Sequence, residues 1–232
     1  MTEGTPEYAW SFAFGSNLHP DRRGARTDHA PLEVTPGRLA GWRLAFNMPA
    51  LHLIEPSMAS AQPAPGQTLH GLLLRLTPEG FASLLRSEGG DRFYEAVAVD
   101  VDAYDGRRVR AYVLRGHPRL CVDREIPPSR RYMQLIREGA RRSGLDPDYC
   151  AWLESLPHAE RSPLAAEIGR LYWESVLFLR KTSRGGALER YVDLLHRCEY
   201  TDPPALGHVA QAALLAPAIA LGAALRLRRR LT

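Results

Sequence analysis

Up to about residue 120 the apolar positions come in short runs, whereas beyond residue 129 they recur at helical spacing. Residues 8–14 combine aromatic and small side chains, as a buried strand does, and Gly15-Ser16-Asn17 then stops the run with residues that tolerate turn dihedrals. Residues 34–46 alternate loosely around a glycine bulge at Gly41. Residues 69–76 are almost continuously apolar, which suits a strand buried on both faces. Two more strands are predicted over residues 96–101 and 109–114, and Asp105-Gly106 between them signals a hairpin. Residues 48–66 are rich in Pro and Ala without any period, which predicts a long loop over the mouth of a site.

Helices are marked by their ends. Pro20-Asp21 starts a short one. Thr77-Pro78-Glu79 supplies a cap, a proline at the first position and an acid for the helix dipole. That helix runs through Phe81, Leu84 and Leu85 and delivers Glu88 at its end. Ser129 caps another, carrying Tyr132, Leu135, Ile136 and Ala140 and ending before Gly144; the next begins at Pro147 or Asp148. Ser162-Pro163 opens a helix with a stripe of Leu164, Ile168, Leu171, Tyr172, Ser175 and Leu179, broken at Gly185-Gly186, and Leu188, Tyr191, Val192, Leu194 and Leu195 continue in a further one. Mixed strands with short helices between them predict an α+β domain: a small curled mixed sheet or barrel flanked by helices, with a C-terminal helical extension. The divisions fall at residues 8–157 for the main domain, 158–202 for the extension and 203–232 for a terminal helix.

That terminal segment is unusual. Residues 203–225 contain no Asp, Glu, Lys or Arg, and Arg226, Arg228, Arg229 and Arg230 close the chain. Its length suffices to cross a bilayer, but much of it is Ala, with His208, Gln211 and Pro217 inside. A span from the cytoplasm would also export the arginines, against the positive-inside bias. Packing on the domain or on a second copy is therefore preferred, ahead of a helix lying in an anionic membrane surface.

Composition narrows the partners. The net charge is +4, yet Lys181 is the only lysine and the arginines sit among acids without a basic stripe, so nucleic acid is not expected. Cys121, Cys150 and Cys198 are odd in number and far apart, and the eight histidines are scattered. Neither pattern has metal-ligand spacing, so no metal is expected. Residues 1–9 lack a basic and apolar export signal, which with free thiols predicts a cytoplasmic protein, membrane-associated only if the terminal helix brings it there.

Candidate chemistry begins with Phe12-Ala13-Phe14-Gly15-Ser16-Asn17-Leu18. It resembles the Phe-Ala-Tyr-Gly-Ser-Asn-Leu opening of the γ-glutamylcyclotransferase family. Two further signatures follow in order: Glu88-Gly89 a few residues before Tyr94, and Pro128-Ser129-Arg130-Arg131-Tyr132 entering a helix. The resemblance covers residues 8–157 and implies a small barrel, no cofactor and a small-molecule γ-glutamyl substrate. In such a substrate the α-amine attacks the side-chain carbonyl and closes a five-membered lactam, so the protein must orient one chain and move protons. Glu88 is then the general acid/base. Phe14, Gly15, Ser16, Asn17 and Leu18 form the substrate-binding turn, with backbone N–H groups for substrate oxygens, and Tyr94 and Tyr132 are binding groups beside it. The family's Tyr is Phe14 here, which removes one hydroxyl. Glu95 is the rival carboxylate, but it lies in line with alternating valines and is expected to face outward. Other expectations remain open: a γ-glutamyl natural-product intermediate as substrate, or a non-catalytic binding module that docks through the terminal helix, as a homodimer or on a membrane.

Overall fold

The computed structural model describes residues 7–26, 30–51, 54–160, 162–182, 186–198 and 204–231. Five strands close into a mixed barrel: β1 (Ala9–Ala13), β2 (Glu33–Leu51), β3 (Glu55–Leu76), β4 (Tyr94–Ala103) and β5 (Arg108–Gly116), in the order β1-β3-β2-β4-β5. The short β1 is antiparallel to β3, with Phe12 opposite Leu73, and parallel to β5, with Phe12 opposite Val113. β4 and β5 form the hairpin expected at Asp105-Gly106, where Gly106 has φ 91°. The helices are α1 (Pro20–Arg26), α2 (Pro78–Ser87), α3 (Arg130–Arg142), α4 (Pro147–Ser155), α5 (Pro163–Thr182), α6 (Ala187–Cys198) and α7 (Pro204–Leu231). This is the predicted α+β barrel with flanking helices and a helical C-terminal extension.

One expectation fails. Residues 48–66 are not a loop, because β2 continues to Leu51 and β3 starts at Glu55. The buried positions at the start of β3 are filled by Glu55, Ser57, Ala59, Ser60 and Ala61, so its buried face is small and polar and gives no hydrophobic alternation. Its polar groups are satisfied locally. Ser57 Oγ donates to Ile126 O at 2.6 Å, and Ser60 Oγ accepts the Gly116 N–H at 2.8 Å. Pro49, Pro56, Pro63 and Pro65 sit within the strands, each giving up one ladder donor.

The chain divides into two compact units. The first holds residues up to 48 with 59–125 and 130–158, around a core that includes Phe12, Leu69, Leu73, Val113, Met133 and Ile136. The second holds residues 49–58, 126–129 and those from 159 on, around Leu51, Ile54, Tyr172, Val176, Leu195, Leu215 and Ala218. In this unit Glu55, 2% exposed, accepts the N–H (2.7 Å) and the hydroxyl (2.6 Å) of Ser129. Ser129 thus stands where a cap was expected, one residue ahead of α3, but its hydroxyl donates to a buried carboxylate. The Gly185 half of the expected Gly-Gly break lies outside the described residues, as do residues 199–203.

By length and composition alone, residues 205–229 of α7 could cross a membrane, with a mean hydropathy of 1.6. One face of the helix is nevertheless packed. Gly207, Gln211, Leu215, Ala218 and Gly222 recur every three or four residues and are buried. Gln211 donates to Leu195 O at 3.1 Å and the Tyr191 hydroxyl to Leu214 O at 2.7 Å. Arg226 pairs with Glu167 and, at 2.8 Å, with Glu174. At Gly222 a Cβ would lie 2.2 Å from Leu171 O, so α5 and α7 meet backbone to backbone. Leu215→Ala should cost about 2–4 kcal/mol in denaturant unfolding, and Ala216→Gln on the exposed face within about 0.5 kcal/mol. Equal effects of the two would count against this packing.

Candidate active site

β1 ends at Ala13, and Phe14 and Gly15 lead into a single 3₁₀ turn, Ser16–Leu18. The turn closes through Leu18 N–H to Gly15 O (3.0 Å) and His19 N–H to Ser16 O (3.1 Å). Two helices hold it. Arg23 of α1 donates from Nη1 to Asn17 O (2.9 Å) and Leu18 O (2.6 Å). Burial, and then the charge of Arg142, push the Arg23 guanidinium below its ordinary pKa, so the carbonyl contacts offset part of its desolvation. On the other side Gly139 of α3 presses against the turn: a Cβ there would lie 2.5 Å from His19 N and 2.6 Å from the Leu18 carbonyl carbon. No side chain fits at that contact.

Glu88 reaches the same place from α2. Thr77 caps that helix, its hydroxyl accepting the Gly80 N–H at 3.1 Å. At the far end the Glu88 N–H reaches Leu84 O (3.1 Å) and Leu85 O (3.2 Å). Gly89 then turns the chain at φ 89°, where a Cβ would lie 2.1 Å from the Phe93 ring. Only glycine combines that dihedral with that contact, so the helix stops with Glu88 as its last cap residue. There Asn17 Nδ2 donates to Glu88 Oε1 at 2.9 Å, across 71 residues of sequence.

A narrow cleft opens around this pair. Phe14, Gly15, Ser16 and Asn17 line one side, Leu84 and Glu88 another, and Tyr94, Leu114, Tyr132 and Ala59 complete the wall. The Tyr94 hydroxyl donates to Ala59 O at 3.0 Å, and the Tyr132 hydroxyl accepts the Ala59 N–H at a long 3.4 Å. Among the described residues no Arg, Lys or His lines the cleft, so anionic or carbonyl oxygens of a ligand must be met by N–H and O–H groups.

The structure thus brings together Glu88, Phe14, Gly15, Ser16, Asn17, Tyr94 and Tyr132. Leu18 lies elsewhere: it is 0% exposed, part of the core, and anchors the turn from beneath. Glu95 is outside the cleft and pairs with Arg115 at 2.8 Å. Contributors not foreseen include Ala59, Leu84, Leu114, Arg23 and Gly139. Ala59 and Leu114 are ordinary strand residues whose sequence carries no signal, and Arg23 looks like any other arginine of a basic run.

Residues 68–153 match the AIG2-like family. The chain is 27% identical over 164 residues to the γ-glutamylcyclotransferase of Bos taurus, covering 68% of this chain and 84% of that protein. It is 27% identical over 202 residues to the γ-glutamyl cyclotransferase gliK of Aspergillus fumigatus, covering 73% and 72%. A solved γ-glutamyl cyclotransferase superposes with a TM-score of 0.56 at 24% identity, over 70% of this chain and 98% of that one, a likeness of fold.

At Gly15 an added Cβ would stand 3.3 Å from Ala59 Cβ and 3.4 Å from the Tyr132 hydroxyl. Gly15→Ala should therefore need only a few tenths of an ångström of adjustment. The two extra methyls of Gly15→Val occupy the cleft itself. Thermal unfolding should show a clearly smaller loss for Gly15→Ala than for Gly15→Val, and equal losses would count against this close contact.

Proposed function

We propose that this chain, which is similar to γ-glutamylcyclotransferases over most of its length, converts γ-glutamyl amides to 5-oxoproline and a free amine or amino acid. The observation that carries the proposal is the carboxylate of Glu88 facing the Phe14–Asn17 turn across one cleft. The substrate's α-amine attacks its own γ-carbonyl carbon. A ring C–N bond forms, the γ-amide C–N bond breaks, and the amine leaves with a proton. No external nucleophile enters and nothing is oxidised or reduced, so proton transfer and orientation are what the protein must supply.

Glu88 takes the proton that the attacking amine sheds and returns it to the leaving nitrogen. Backbone N–H groups of Gly15, Ser16 and Asn17 hold substrate oxygens, among them the carbonyl that becomes an oxyanion. The Tyr94 and Tyr132 hydroxyls, both held on Ala59, border the same space. Amine and carbonyl are already tethered in the substrate, and fixing that flexible chain in reacting geometry is worth up to several kcal/mol.

Two narrower questions belong with this proposal: the leaving group, which includes the natural-product alternative, and any contact of residues 203–232 with a second copy or a membrane surface. Neither changes the chemistry at Glu88. A binding module of the same fold, by contrast, has no need for a carboxylate at that position.

A panel of γ-glutamyl amino acids and amines, assayed for 5-oxoproline, should identify a substrate turned over by the purified protein. Glu88→Gln keeps shape and hydrogen bonding while removing basicity, so turnover should drop at least about a hundredfold with little change in melting temperature. Near-normal turnover in that variant would sink the assignment of Glu88.

A further inference from the structure

The Asn17 side chain donates to the Glu88 carboxylate within the cleft. We propose that Asn17 is a positioning residue, whose carboxamide orients the Glu88 carboxylate for proton transfer while the backbone of the same turn serves the substrate. This deepens the cyclotransferase proposal and rests on it for the identity of the base.

The contact is well defined chemically. Asn17 Nδ2 stands 2.9 Å from Glu88 Oε1, and an ionised carboxylate only accepts, so the NH₂ end of the amide must face it. Both partners are fixed by other parts of the first unit. The Asn17 carbonyl is held by Arg23 at 2.9 Å, Gly139 presses on the adjoining Leu18 and His19, and Glu88 is held by the helix end and the left-handed Gly89. A contact between two such anchored groups sets the direction of the carboxylate.

An amide is also the side chain that suits the task. A lysine or arginine in its place would hold the carboxylate as an ion pair and reduce its basicity. An aspartate would share the proton with it. A neutral N–H donor orients the carboxylate without capturing a proton. Among the described residues, the titratable groups that line the cleft with Glu88 are Tyr94 from β4 and Tyr132 from α3.

Two variants and two readouts test this. In Asn17→Ala, kcat on the substrate found for the wild type should fall roughly tenfold to a hundredfold, as misplacement of a catalytic group does, with KM within about threefold. In Asn17→Asp, nearly identical in shape, a second carboxylate stands beside the first. The acid limb of the kcat profile should then move up by about a pH unit or more. The same displacement should appear without substrate, when the Glu88 carboxyl is titrated by ¹³C NMR in the wild type and in Asn17→Asp. A raised KM with unchanged kcat in Asn17→Ala would make Asn17 a substrate ligand and overturn the proposal. So would a Glu88 titration unmoved in a folded Asn17→Asp protein. Because the NMR readout needs no turnover, a wild type that forms no 5-oxoproline would refute the cyclotransferase reaction separately, leaving the contact to be judged by the titration.

Discussion

Closure of the barrel through its shortest strand is the constraint on which the site depends. β1 has five residues and is paired on both sides, antiparallel with β3 and parallel with β5. A strand paired on both edges cannot slide by one residue without reversing every side chain on it, including Phe12 at the centre of the core. The chain must therefore leave the barrel at a fixed point, and Phe14–Asn17 emerge there beside Ala59 of β3 and Tyr94 of β4. The turn inherits its position from the sheet, and Arg23 and Gly139 fix its height.

Glu88 arrives by an independent route. Its place depends on where α2 stops, and that is decided by Gly89, whose dihedral and whose contact with Phe93 both exclude a side chain. One carboxylate is thus set by a helix terminus and its partner amide by a strand terminus. Neither element carries the geometry alone. The 2.9 Å contact between Asn17 and Glu88 is the seam where the two meet.

Much of this was legible in the sequence because the signals were local. Thr77-Pro78 marked the start of α2, Glu88-Gly89 its end, and Asp105-Gly106 the hairpin of β4 and β5. The β2–β3 pair was not legible beyond residue 48. Strand patterns are read from apolar alternation, and here the buried positions hold Glu55, Ser57 and Ser60, whose partners Ser129, Ile126 and Gly116 are remote in sequence. Burial of polar groups by long-range hydrogen bonds leaves no periodic trace. The same reason hid Ala59 and Arg23, which matter through where the fold places them. Leu18 was grouped with the turn because it closes the Phe12–Leu18 motif, but a 3₁₀ turn rotates each successive side chain by about 120°, and Leu18 faces the core.

The two tyrosines of the cleft carry a consequence for how mutational data from this site would be understood. Tyr94 and Tyr132 both meet the backbone of Ala59, one donating to its carbonyl and the other accepting from its N–H. Removing either hydroxyl withdraws a support from β3 at the residue that forms one wall of the site. A Phe scan would then alter the width of the cleft along with its hydrogen bonding. A loss of rate at these positions would report on strand placement as much as on chemistry, and only a paired Ala59 variant that restores the width could separate the two.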